Sequence, residues 1–410
     1  MKRNTLFFLL LLSVSLNVLA QLPVLRVSFK GSLANSKEYL QGNMSLTDTD
    51  GSVIDLPAKF KSRGATAKQY TMKPSFNMKL REVDGTEIDS TLCGLRSASS
   101  WILDAMAIDR ICMRNRVAFD IWNEFSKLPY ETQFGSRNGT VGKFVEVYIN
   151  DKYYGIYCLT DRINRKLLDL KKPQVEEDGT YTVRGVIYKH GTNNIGVQEK
   201  ADTFSEDSAT LVIGYHDAWE LTEPEDYGGM QAWAPLYELY RHKTDYAFVK
   251  EHFYLDNLAE YQVFIMALSV VDNWGNKNSY ISARNVQADG NKCKFVYTPW
   301  DLDTSLGGNY KGDYYNGKYS NWKVEDVTKA STEPIPFSTC NSQPEFKELL
   351  KEKWIYGRKN AFAVTSVKNK LYAYRDLFIN SGAWQRSQKK SPCYVDDLAK
   401  EIDYIVEWYR

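Results

Sequence analysis

The sequence predicts an α+β protein of two closely packed lobes, and three patterns predict it. Strand-like alternation fills the region from Leu25 to Leu80, apolar residues recur at helical spacing from Ala118 to Leu128, and one helix near residue 260 is apolar on every face. In the first lobe, Val24-Leu25-Arg26-Val27-Ser28-Phe29 alternates, Asp50-Gly51 marks a hairpin turn, and Ser75-Phe76-Asn77-Met78-Lys79-Leu80 alternates again, which reads as an antiparallel sheet. Asp109 is placed to cap a helix carrying Ala118, Ile121, Trp122, Phe125 and Leu128 on one face. A second hairpin follows, Phe144 to Ile149 and Tyr154 to Leu159 around Asn150-Asp151.

Residues 163 to 250 carry weaker signals: a strand-like Gly185-Val186-Ile187-Tyr188-Lys189 and acidic loops around Glu176 and Glu223. From about Asp256 to Val271 the pattern is a helix whose second half, Val263-Phe264-Ile265-Met266-Ala267-Leu268, has no polar side, so it is expected to run through the centre of the second lobe. After it come the polar loop Asp272-Asn273-Trp274-Gly275-Asn276-Lys277-Asn278, a strand from Tyr280 to Arg284, a turn at Asp289-Gly290, and a strand from Lys292 to Tyr297 that closes on Pro299-Trp300-Asp301-Leu302-Asp303.

The ends and the composition bound the setting. Lys2 and Arg3, the apolar run from Leu6 to Leu12 and Val18-Leu19-Ala20 read as a signal peptide cleaved after Ala20. That run is too short for a transmembrane anchor, so the mature chain, residues 21–410, is expected to be secreted, periplasmic or at the cell surface. Without the signal, 50 basic residues face 51 acidic ones, a formal charge of −1 that provides no footprint for nucleic acid. Six cysteines are sparse for roughly 390 residues, so a core rather than disulfides must hold the fold. Cys112 and Cys158 sit in apolar patterns; any disulfide is expected between Cys340 and Cys393, in polar text near the carboxyl end.

A buried helix that delivers an Asp and several Asn into a loop, followed by a hairpin returning to Asp-x-Asp, gathers carboxylate and amide oxygens of the kind hard cations prefer. The same residues also suit helix capping and turn initiation, and spacing alone leaves both readings open. Asp301 and Asp303 also permit a paired-carboxylate, glycan-processing reading, which the high aromatic share of 14% (28 Tyr, 10 Trp) would serve with stacking platforms.

Val271-Asp272 through Asn278-Ser279-Tyr280, with Thr298-Pro299-Trp300-Asp301-Leu302-Asp303-Thr304-Ser305-Leu306-Gly307, resembles the signature region of the spore coat protein H (CotH) family of kinase-like proteins. In the same order stand Arg63-Gly64, Lys73-Pro74-Ser75-Phe76-Asn77-Met78-Lys79-Leu80, Asp109 with Met113-Arg114-Asn115, and Val145-Glu146-Val147-Tyr148-Ile149-Asn150 leading to Tyr154-Gly155-Ile156-Tyr157, so the resemblance spans about residues 25 to 310. It implies an atypical protein-kinase-like two-lobed fold, with a smaller lobe over about 21–165 and a larger one over about 166–410. ATP with Mg²⁺ or Mn²⁺ would bind between them, for transfer to a protein hydroxyl in the envelope or extracellular space. By the same resemblance Asp272 matches the catalytic-loop Asp, Asn278 the metal-holding Asn, and Asp301 the metal-binding Asp, with Asp303 beside it. Lys79 is the first choice for pairing with the phosphates, with Lys189 its rival, and Arg63-Gly64 would lie near them, since Gly permits close backbone approach. Two departures stand out. The position five after Asp272 is Lys277, flanked by Asn276 and Asn278, where kinases place Asn. Asp161 stands where the family often has Glu. Either departure would suit a non-catalytic member, an envelope or matrix assembly protein.

Overall fold

Alternation in the first 160 residues does produce strands, but the strands close on themselves. The computed structural model describes residues 21–33, 38–64, 73–133, 135–190, 215–216, 219–225, 229–270, 272–273, 278–287, 293–308, 335–390 and 395–410. Seven strands, β1 (Val24–Phe29), β2 (Leu40–Thr47), β3 (Val53–Arg63), β4 (Ser75–Leu80), β5 (Ser100–Asp104), β6 (Gly142–Ile149) and β7 (Lys152–Asp161), form a closed barrel in the order β1-β2-β3-β4-β5-β7-β6. The antiparallel sheet expected from Leu25 to Leu80 is present as β1 to β4, and it is part of the barrel: β1 pairs in parallel with β6, from Val24 opposite Glu146 to Val27 opposite Ile149, while the other neighbours are antiparallel. Among the described residues, closure leaves the barrel no unpaired edge to recruit another chain. Leu25, Val27, Met44, Phe60, Phe76, Met78, Trp101, Val147 and Leu159 share one core.

The β6–β7 turn forms where expected. Asn150 and Asp151 both have positive φ, 46° and 62°, which a two-residue turn matched to strand twist requires and which Asn and Asp tolerate. Asn150 also ties the barrel together, since its Oδ1 accepts from Phe29 N at 3.0 Å.

Helix α1 (Arg114–Phe125) begins five residues after Asp109, yet Asp109 still caps it: one carboxylate oxygen accepts from Met113 N at 2.8 Å and Arg114 N at 2.7 Å. The face bearing Val117, Ala118, Ile121, Trp122 and Phe125 is buried in a second core. That core continues into a ribbon of β8 (Gln174–Val175) and β9 (Tyr181–Thr182) and a five-stranded antiparallel sheet. The sheet contains β10 (Val186–His190), β11 (Tyr215–His216), β12 (Trp219–Glu223), β13 (Ser279–Ala283) and β14 (Phe295–Pro299), in the order β11-β12-β10-β13-β14.

Helices α2 (Met230–Arg241) and α3 (Tyr246–His252) occupy the stretch whose sequence signals were weak. Pro235 lies inside α2 and masks its helical pattern, whereas α3 has a plain cap, Asp245, which accepts from Ala247 N at 2.9 Å. Helix α4 (Leu255–Ala267) is the central one expected; it packs against β14, but it ends four residues short of Val271. Beyond it lie α5 (Phe337–Asn341), α6 (Pro344–Lys359), α7 (Val364–Asn380), α8 (Ala383–Gln388) and α9 (Leu398–Tyr409). Among the described residues no helix is long and apolar enough to cross a membrane. Cys340 is a free, buried thiol inside α5 rather than a loop cysteine available for a bridge, and Cys393 lies outside the described residues, as does the Asp289-Gly290 turn.

Candidate functional site

One polar side chain organises the loop after α4. Asn273 is almost fully buried, and its Nδ2 donates to the carbonyls of Asn278 at 2.7 Å and Trp300 at 2.6 Å. The Tyr261 hydroxyl on α4 donates to Asn273 O at 2.9 Å. The start of β13 and the end of β14 are thereby held against the end of the central helix. Trp300 N donates to Asn278 O and Asn278 N to His190 O, which draws in the end of β10. Asn278 and Asp301 both adopt the left-handed region, with φ of 59° and 57°, a conformation open to Asn and Asp at low cost. Asn278 Nδ2 stands 3.5 Å from Asp272 Oδ2, at the outer limit of a hydrogen bond.

The barrel presents its own groups to this loop. Arg63, the last residue of β3, holds its guanidinium 5.1 Å from the centre of the Trp300 ring. Asp104, the last residue of β5, accepts from Met106 N at 3.0 Å through one oxygen and from Asn115 Nδ2 at 2.7 Å through the other. Asn115 in turn accepts from Leu302 N at 3.1 Å.

Carboxylates from both cores therefore meet. Asp301 is pushed above the ordinary carboxylate range, first by desolvation; Asp104 and Asp272 push the same way, while Arg63 and Lys189 oppose them. Asp301 nevertheless keeps accessible surface. Asp303 is pushed well above its ordinary value, first by burial and then by Asp301, Asp104, Asp272 and Asp109. Like charges this close oppose joint ionisation unless a cation joins them. Among the described residues no three His, Cys, Asp or Glu side chains are already gathered as a metal shell. The donor chemistry fits a hard divalent ion all the same: Asp272, Asp301 and Asp303 are oxygen ligands, and the buried Asn273 Oδ1 has no hydrogen-bond partner.

A family model described as CotH kinase protein matches residues 60–410. The chain belongs to the CotH kinase family. No curated protein matches it. The family match begins in β3, takes in Arg63 and every acidic residue of the convergence, and runs on through the helices beyond residue 310, where the sequence resemblance faded. β1 and β2, although outside the match, close the same barrel.

Of the site residues read from the sequence of this CotH kinase family member, the fold brings together Arg63, Asp272, Asn278, Asp301 and Asp303. Lys79 stands elsewhere. Burial lowers its pKa, the charges that act on it are Glu225, Arg162, Arg81 and Lys61, and its ammonium lies 5.4 Å from the Tyr39 ring. The rival Lys189, on β10, acts on Asp301 and lies 3.8 Å from Glu220. Asp161 pairs with Arg96 at 3.1 Å instead of a lysine. Asp301 and Asp303 follow β14 rather than lying on it, so the two carboxylates considered as a glycan-processing pair do not share a strand face. Asn276 and Lys277 lie outside the described residues. Reasoning from sequence missed Asp104, Asn115 and Asn273. Asp104 had a signal, for Trp101-Ile102-Leu103-Asp104 is an apolar strand ending in Asp, the same form as the run from Phe295 to Asp301.

Proposed function

We propose that the chain is an exported phosphotransferase that uses ATP with Mg²⁺ or Mn²⁺ to phosphorylate a hydroxyl of a protein in the envelope or extracellular space. In this reading the barrel is the smaller lobe and the helix-rich body the larger lobe of a kinase-like fold. The observation that carries it is the hydrogen-bonded link from Asp104 of the barrel through Asn115 to Leu302, between Asp301 and Asp303, with Asn278 beside Asp272 and Arg63 over the Trp300 ring. A bound divalent ion would neutralise charge on the phosphoryl oxygens during transfer. Asp301 and Asp303, with Asn278, are the groups that would hold it. Arg63, steadied on the Trp300 ring, and Lys189 offer positive charge to the phosphates. Asp272 orients the acceptor hydroxyl and takes its proton as the oxygen bonds to the γ-phosphorus and ADP departs with the electron pair of the broken bond.

A non-catalytic binding protein on the same fold is the second reading, and one observation favours it: the buried Asp161 is neutralised by Arg96, with no lysine in the pair. One experiment separates the two. Asp301→Ala should abolish the Mn²⁺-dependent thermal shift caused by ATP, whereas Asp272→Ala should keep most of that shift and lose phosphate transfer, because its interaction matters chiefly in the transition state. A wild-type protein with no metal-dependent shift at millimolar ATP would sink the kinase reading. A full shift with no transfer to host envelope proteins would favour the binding protein.

A further inference from the structure

A continuous chain of hydrogen bonds runs from the barrel to the acidic loop, and every link in it is local and specific. At the start of β4, Ser75 Oγ accepts from Ala105 N at 2.9 Å and lies 3.4 Å from Asp104 Oδ1. The ammonium of Lys73, almost fully buried, donates to Ala105 O at 2.8 Å and to Ile156 O. Ala105, the residue that follows Asp104, is thus held through both its N–H and its carbonyl. Asp104 accepts from Asn115 Nδ2, and Asn115, in the first turn of α1, offers its Oδ1 to Leu302 N. The amide of Leu302 belongs to the peptide bond that immediately follows Asp301. Its direction reports the backbone of Asp301, which sits at φ 57°. The aim of the two carboxylates on either side of Leu302 depends on that peptide.

We propose that Asp104 and Asn115 are positioning residues: a clasp through which the barrel fixes the peptide between Asp301 and Asp303 and so preorganises these carboxylates for a divalent cation. The inference rests on the metal-binding reading for its ligand, but the clasp itself has a readout that needs no metal. The pair has a fixed sense. Asp104 can only accept; Asn115 donates to Asp104 with one end of its amide and accepts from Leu302 with the other. Reversing the pair, as Asp104→Asn with Asn115→Asp, keeps a donor and an acceptor between the two positions, keeps an acceptor for Leu302 N, and leaves the number of negative charges in the cluster unchanged.

Four proteins test this: wild type, Asn115→Leu, Asn115→Asp, and the reversed double variant. The readouts are hydrogen exchange of the Leu302 amide in the metal-free protein, Mn²⁺ binding by calorimetry and the electron paramagnetic resonance of bound Mn²⁺. Asn115→Leu should speed exchange at Leu302 at least tenfold and weaken Mn²⁺ binding by about tenfold, the lower end of what removing a partner of a metal ligand costs. Asn115→Asp sets two carboxylates against each other and should likewise speed exchange. The reversed double variant should return exchange, affinity and the Mn²⁺ spectrum towards wild type, a rescue that loss of helix stability alone would not produce. Equal Leu302 exchange in wild type and Asn115→Leu would overturn the clasp whether or not metal binds. If wild type takes up no Mn²⁺ while Leu302 exchange responds as expected, the metal-binding role fails and the clasp remains as a structural device. An Asn115→Leu protein that binds Mn²⁺ as tightly as wild type would refute the positioning role.

Discussion

Replacing Arg114 with Met tests how α1, the helix that carries Asn115, is anchored. The Arg114 and Asp109 side chains are 1% and 0% exposed, and a charged hydrogen bond joins them. Asp109 also accepts from Ile111, Met113 and Arg114 N, while Arg114 Nε donates to Leu306 O at 3.3 Å in the acidic loop. Methionine fills a comparable volume without charge and leaves a buried carboxylate unpaired, for which a cost of about 3–5 kcal/mol is expected. Three backbone donors still serve Asp109, so the loss should fall near the lower end, about 3 kcal/mol. Asp109→Asn should cost more, near 5 kcal/mol, because it strands a guanidinium and turns an N–H group towards backbone donors. The double variant removes both charges and should be less destabilised than the sum of the singles by about 1–3 kcal/mol. Urea unfolding followed by tryptophan fluorescence measures all four corners of the cycle, provided the denaturant slopes agree. Strict additivity, or an Arg114→Met variant within about 0.5 kcal/mol of wild type, would refute this account of the pair.

The remaining predictions concern the acidic cluster and the helical body. Asp301 and Asp303 have folded-state pKa values above those of the unfolded chain, with Asp104, Asp109 and Asp272 raising one or both and Arg63 and Lys189 opposing at Asp301. The native state therefore binds more protons from about pH 4 upwards, and the stability of the metal-free protein should fall as pH rises through that window and stay lower above it. Asp303→Asn should flatten this fall relative to wild type, as should saturating Mn²⁺; equal slopes of melting temperature against pH in the two proteins would contradict it. Gly357 in α6 invites replacement by Ala, which helix propensity favours by about 1 kcal/mol. The added methyl would, however, meet the buried Phe362 ring at 2.2 and 2.3 Å, where overpacking costs about 1–3 kcal/mol. Net destabilisation in urea is expected, and a stabilised variant would show that the ring can move aside.

Local pattern was enough for much of the fold. The β6–β7 hairpin, α1, α4 and the β13–β14 hairpin follow from side chains a few positions apart, whose alternation or helical spacing depends on near neighbours only. The first sheet was legible as strands but not as a barrel, since closure depends on Val24 to Val27 pairing with Glu146 to Ile149, more than a hundred residues away. Helix α2 was hidden by Pro235.

The site divides in the same way. That Asp272, Asn278, Asp301 and Asp303 lie just beyond a buried helix or beside strands was legible from residue pattern, because an apolar run must stop where polar residues begin. Which residues join them depends on the three-dimensional fold. It brought in Asp104 from the barrel and Asn115 from α1, set Lys189 rather than Lys79 among the charges acting on Asp301, and gave Asp161 to Arg96. The physical reason is that charge acts through space. Asn115 and Leu302, for example, are 187 residues apart in sequence, and only the fold, in which barrel residues such as Ile102, Phe144 and Ile156 pack into the second core, brings them within reach.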